Sequence, residues 1–138
     1  MRIFLDANVL VSVLNKEYPI FSFSSKVLSL CGHKNYQVFT SPICLAIAFY
    51  FAEKKSGSEV AKSKMALLSE RIRISSVEQE TVLEALKNKR VLDFEDGLEY
   101  YSAKKSKCEC FVTEDVEDFH FADMEVLTCE AFLDKYFR

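Results

Sequence analysis

Short apolar runs alternate along this chain with longer stretches whose apolar residues recur at helical spacing. The first pair sets the pattern. Ile3-Phe4-Leu5 runs into Asp6, and Val9, Leu10, Val13 and Leu14 then fall on one side of a helix. After a break at Tyr18-Pro19, Phe21, Phe23, Val27, Leu28 and Leu30 continue at helical spacing as far as Gly32. Residues 36–39 are β-prone and lead into Thr40-Ser41-Pro42, where Ser41 suits a helix N-cap and Pro42 the first helical position. The helix this predicts, residues 43–55, is apolar nearly all round over residues 43–51, so burial on most sides is expected, within the chain or against a partner. Ser58 begins a more amphipathic helix through Val60, Met65 and Leu68, and Arg71-Ile72-Arg73-Ile74 alternates as an edge strand does. Residues 78–87 form a helix on a charged ground. Asp93-Phe94-Glu95-Asp96 opens the next, which passes Leu98, Tyr101 and Ala103 and ends in lysines, so its charges complement the helix dipole. Residues 110–113 and 124–127 read as strands and 129–137 as a last helix. The alternation predicts an α/β fold with a parallel sheet covered by helices on both faces.

Composition narrows the picture. The 138 residues carry no linker, repeat or low-complexity segment, so residues 1–138 are read as one domain with a substantial core. Only three Gly and two Pro argue against a turn-rich sandwich or barrel. Acidic residues outnumber basic ones 21 to 18, so any nucleic-acid function must rest on a local site rather than on a basic surface. Five cysteines without framework spacing, and no signal peptide, point to a reducing, cytoplasmic setting. Cys108 and Cys110 stand too close for the usual zinc pair and both His are isolated, while Cys44, Cys110 and Cys129 lie in apolar settings suited to packing. No apolar run approaches the roughly 18 residues that a membrane span needs.

Candidate chemistry lies in the acids. Asp6 follows a strand directly, which suits both an N-cap and a place in the crevice beyond the strand ends of a parallel sheet. The grammar returns where Cys110-Phe111-Val112-Thr113 runs into Glu114-Asp115, and Asp96 opens a helix. If the strands are parallel, Asp6, Asp96 and Asp115 converge at one end of the sheet. Clustered carboxylates must be protonated, hydrogen-bonded or neutralised by a cation. Oxygen ligands of this kind suit Mg²⁺ or Mn²⁺, which makes metal-assisted phosphodiester hydrolysis the natural hypothesis.

Four motifs in order carry a resemblance: Leu5-Asp6-Ala7-Asn8-Val9-Leu10, Thr40-Ser41-Pro42, Asp93-Phe94-Glu95-Asp96-Gly97-Leu98 and Val112-Thr113-Glu114-Asp115-Val116-Glu117-Asp118-Phe119. Over nearly the whole chain they resemble a PIN domain, as in VapC-like toxin ribonucleases. The resemblance implies a three-layer α/β/α sandwich with a central parallel sheet, an acidic Mg²⁺ or Mn²⁺ site that cuts RNA, a homodimer and a cognate antitoxin. Asp6 matches the first family acid, Asp96 the acid opening the later helix and Asp115 the acid after the fourth strand, with Asn8, Ser41 and Thr113 as supporting polar positions. The second family acid, a Glu inside the helix after Ser41, falls at Ile47. Glu53 stands six residues on, about 600° round and roughly 9 Å along a regular helix, and does not take that place. Asp93 precedes Asp96 by three residues, as an N-cap does. Asp118 lies three beyond Asp115 and joins the metal set if a helical turn forms there.

Two functions follow. One is a divalent-metal-dependent endoribonuclease for single-stranded RNA, the toxin of a toxin–antitoxin pair. The other, prompted by Ile47, is a catalytically degenerate PIN domain that binds RNA or a protein partner without cutting. A receiver-like domain is disfavoured, because such a site wants an acidic pair at the first strand and a lysine after the last, whereas Asp6 stands in Asp-Ala-Asn and the last strand leads to Thr128-Cys129.

Overall fold

A computed structural model describes residues 1–137. Five strands, β1 (Arg2–Leu5), β2 (Gln37–Thr40), β3 (Arg73–Ile74), β4 (Cys110–Val112) and β5 (Glu125–Leu127), form one sheet in the order β3-β2-β1-β4-β5. All four pairings are parallel. The chain builds outward from β1 to β3, then returns to lay β4 on the other side of β1. That reversal opens a crevice beyond the carboxyl ends of β1 and β4, the place where open α/β sheets bind ligands. Ile3, Phe4 and Leu5 of β1 and all of β4 are buried, as expected of central parallel strands covered on both faces. Phe4 and Phe111 stack across that pair with ring centroids 5.0 Å apart.

Seven helices cover the sheet: α1 (Ala7–Leu14), α2 (Phe21–Leu28), α3 (Pro42–Ser56), α4 (Ser58–Arg71), α5 (Gln79–Lys87), α6 (Phe94–Lys105) and α7 (Cys129–Tyr136). The expected helix through Leu30 divides into α2 and a 3₁₀ turn over Ser29–Gly32. The expected edge strand from Arg71 shrinks to two residues, because α4 continues through Arg71 and Ile72 is its C-cap. Of the burial expected for α3, within the chain or against a partner, the chain itself supplies one side. Its inward stripe consists of Cys44, Ala48 and Ala52, four residues apart and all small, which lets α1 and α4 approach closely. Large side chains are left outside: Tyr50 is 56% and Phe51 44% exposed.

Placement of α6 decides the geometry of the crevice. Tyr100 is buried on its inner face, and its hydroxyl accepts from the backbone N–H groups of Asp123 (2.9 Å) and Met124 (3.3 Å) while donating to the Asp123 carboxylate. Ser102 donates to the Ser76 carbonyl at 2.8 Å, fastening the same helix beyond β3. Gly97 lets α5 approach. A Cβ built there lies 2.7 Å from Val91 Cγ1 and 3.1 Å from Ala85 Cβ, inside van der Waals contact. Gly97→Ala is therefore expected to lower stability by about 1 kcal/mol, overpacking outweighing the better helix propensity of Ala. Urea unfolding would measure this. A more stable variant would show that α5 and α6 have room to spare.

Candidate functional site

Asp6 leaves β1 and becomes the N-cap of α1, where its Oδ1 accepts from the Ala7 N–H at 2.7 Å. Its backbone N–H donates to the Val112 carbonyl at 3.0 Å, so the residue is tied to the end of β4. The two roles the sequence left open are thus compatible, because Oδ2 remains turned to the crevice. There it accepts from the Thr113 hydroxyl at 2.7 Å. Asn8, one turn into α1, donates through Nδ2 to Thr113 Oγ1 at 3.1 Å and to Asp115 Oδ2 at 3.0 Å, while its Oδ1 accepts from the Glu114 N–H at 3.2 Å. The Asp115 N–H donates to Thr113 Oγ1 at 3.0 Å. Thr113 is buried with its hydroxyl fully used, once as donor and twice as acceptor, so Asp6, Asn8 and Asp115 are mutually fixed.

The remaining acids arrive from α6 and the turn after β4. Asp93 caps α6, its Oδ1 accepting from the Asp96 N–H at 3.1 Å. Asp96 is half-buried; burial, then the charges of Asp93, Asp6, Asp118 and Glu95, push its carboxyl up to about 7. Residues Val116–Phe119 do form a 3₁₀ turn, which brings the Asp118 charge to bear on Asp96. Ser41 stays apart from this group. Its hydroxyl accepts from the Cys44 N–H at 3.2 Å and serves as the N-cap of α3.

One acid escaped the sequence reading. Glu99 is only 2% exposed, and its carboxyl meets that of Asp6. Burial, then the hydrogen bond to Asp6 and the negative charges of Asp6, Asp96 and Glu95, hold its proton far above the usual carboxylate range. The signal that could have found it is its spacing, three residues after Asp96 and therefore on the same helix face. The apolar residues followed along α6 were Leu98, Tyr101 and Ala103, whereas the buried stripe is Gly97, Glu99, Tyr100, Ser102 and Ala103. From α3, the Cys44 thiol donates to Asp6 Oδ1 at 4.0 Å. Burial and the charges of Glu99 and Asp6 push that thiol well up, so it serves as a donor rather than a thiolate ligand.

Several of these groups line a cleft of about 410 Å³, while Asp93, Thr113, Asp118 and Cys44 stand outside its lining. Its acidic side carries Asp6, Glu95, Asp96, Glu99, Glu114 and Asp115, and its apolar side Val11, Ile20, Ile47 and Phe51. Among the described residues none of its lining side chains is basic. Asp6, Cys44 and Glu99 bring their donor atoms within 4.8 Å of one another. A donor set made almost wholly of carboxylate oxygens, with two carboxyls in contact, fits a hard divalent cation.

The chain belongs to the PIN domain family, whose model matches residues 2–117. Ribonuclease VapC1 of Aquifex aeolicus (strain VF5) is 27% identical over 139 residues, covering 98% of this chain and 95% of that protein. The structure of VapBC-1 from nontypeable Haemophilus influenzae superimposes with a TM-score of 0.72 at 19% identity, over 94% of this chain and 99% of that one. A toxin–antitoxin complex from Klebsiella pneumoniae gives 0.68 at 18% identity, over 92% and 97%. The fold is the three-layer α/β/α arrangement of these structures.

The crowded acids carry a pH signature. Asp96 and Glu99 keep protons in the folded chain at pH values where the unfolded chain has released them. Their contribution to stability is full below the ordinary carboxylate pKa, and is lost as pH rises through about 7 for Asp96 and above neutrality for Glu99. The metal-free melting temperature is therefore expected to fall by a few degrees between about pH 5 and about pH 8. Asp96→Asn should flatten that slope. A melting temperature that rises over the range, or a slope unchanged by the substitution, would contradict the crowding.

Proposed function

We propose that this chain is a divalent-metal-dependent endoribonuclease that cleaves single-stranded RNA, and that it acts in the cytoplasm as the toxin of a toxin–antitoxin pair. The observation that carries the reading is the convergence of Asp6, Asp96 and Asp115 at the carboxyl ends of β1 and β4, in a cleft with no basic lining residue among the described residues. Such a cleft repels phosphate unless a cation offsets its charge. Asp6, Asp96, Asp115 and Asp118 would hold Mg²⁺ or Mn²⁺, which when bound stabilises charge on a phosphodiester and activates water for hydrolysis. Thr113 and Asn8 hold Asp6 and Asp115 in place through hydrogen bonds that need not rearrange during reaction. The apolar side, Ile20, Ile47 and Phe51, accommodates a base or ribose while the acids face the scissile phosphate. The likeness to Ribonuclease VapC1 supports the substrate class, and the fold likeness to VapBC-1 and to the Klebsiella pneumoniae toxin–antitoxin complex is consistent with a toxin that has an antitoxin partner.

Ile47 motivates a second reading, since it presents a hydrocarbon to the cleft where the family resemblance places an acid. On that reading the chain binds RNA or a partner without cutting. Incubation of single-stranded RNA with the protein and Mn²⁺ separates the two. Cleavage is expected, abolished by chelator and lowered about a hundredfold or more by Asp6→Asn, Asp96→Asn or Asp115→Asn with folding retained. RNA bound but uncut at saturating Mn²⁺ would establish the binding module instead.

The exposed aromatic residues of α3 support a homodimer, because Tyr50 and Phe51 leave a large apolar surface uncovered in one chain. Tyr50→Glu is expected to shift the protein to monomer in light scattering at tens of micromolar. A wild-type protein already monomeric there would remove α3 from any self-contact.

A further inference from the structure

Glu99 and Ile47 face one cleft from opposite helices. On α3, the position where the resemblance places an acid is occupied by an aliphatic side chain. On α6, one turn after Asp96, a carboxyl that is almost wholly buried points at Asp6. A Glu99 carboxylate oxygen lies within 4.8 Å of ligand atoms of Asp6 and Cys44, and among the described residues neither a lysine nor an arginine lines the cleft to pair with it. Two buried carboxyl groups in contact are tolerated when a proton or a cation lies between them. An acid kept at such a cost inside a cleft, rather than replaced by an apolar residue, calls for a ligand.

We propose that Glu99 is a direct ligand of the divalent cation in this cleft, supplied by α6 in place of the acid that α3 lacks at Ile47. The inference rests on the metal-dependent reading above for the cation itself. Helical spacing sends Asp96 and Glu99 to the same side of α6, so both reach the space in front of Asp6. Cys44, opposite, has its thiol committed to Asp6 and leaves that space to oxygen ligands. The site therefore keeps its acid count while changing the helix that supplies one member. The Ile47 side of the cleft becomes an apolar wall.

The competing role for Glu99 is a permanently protonated side chain that merely donates to Asp6. Glu99→Gln separates the two, because the amide can still donate that hydrogen bond but is a weak ligand for a hard cation. Calorimetric Mn²⁺ titrations of the wild type, Glu99→Gln, Ile47→Glu and the double variant, with metal-free melting curves of each, make the test. Glu99→Gln is expected to melt at or above the wild-type temperature and to bind Mn²⁺ at least about tenfold more weakly. Ile47→Glu in the Glu99→Gln background is expected to regain most of the lost affinity. Wild-type affinity in Glu99→Gln would overturn the inference while leaving the ribonuclease reading in place, and an unrescued double variant would overturn the exchange between helices. No Mn²⁺ binding by the wild type would overturn both readings. Should Glu99→Gln fail to fold, Glu99→Asp, which withdraws the carboxylate by one methylene, must also weaken Mn²⁺ binding, and wild-type affinity in it would again overturn the assignment.

Discussion

The Asp6 carboxyl is the point on which four parts of the chain are fitted together. It caps α1, accepts the Thr113 hydroxyl from beyond β4, accepts the Cys44 thiol from α3 and meets Glu99 from α6. Three of these partners are donors that stabilise a buried negative charge. The fourth is another acid. Asp6 is thus well solvated by protein on the β4 and α1 sides and meets a second carboxyl on the α6 side. This asymmetry points the open valence of the site toward α6, where a cation would relieve repulsion rather than compete with existing hydrogen bonds.

Rigid support is what allows such crowding to persist. The packing of Phe111 and Phe121 on Tyr100, backed by Phe119, with the hydroxyl of Tyr100 bonded to the segment before β5, keeps α6 from swinging its acids away into solvent. Gly97 brings α5 against the same helix. Glu114, next to Asp115, accepts from the Cys129 N–H at 2.9 Å and so anchors the acidic turn to the start of α7. Stability spent on holding like charges together is a recurrent feature of functional sites.

Much of this was legible in the residues. The strand running into Asp6, the Ser41 and Asp93 caps, and the order of strands and helices all follow from local patterns and chain direction, which is why they survive folding nearly unchanged. Convergence of Asp6, Asp96 and Asp115 required strand order, and the family resemblance supplied what periodicity alone does not contain. Glu99 was not legible because a buried acid looks like a solvated one in a helix whose inner stripe also holds Gly97 and Ser102. The nine consecutive apolar residues of α3 left open whether the chain or a partner covers them. A helix packed through Cys44, Ala48 and Ala52 needs no large side chain inward, so its aromatic residues were free to face outward.

On this reading the cleft between β1, β4 and α6 is a divalent-cation site. Crystals grown with Mn²⁺ and measured near its absorption edge test it most directly, because the anomalous difference map locates the metal without reference to activity. A peak is expected within coordination distance, about 2.0–2.3 Å, of carboxylate oxygens from Asp6 and α6. A map with no peak in this cleft, or with Mn²⁺ bound only to surface acids elsewhere, would contradict it.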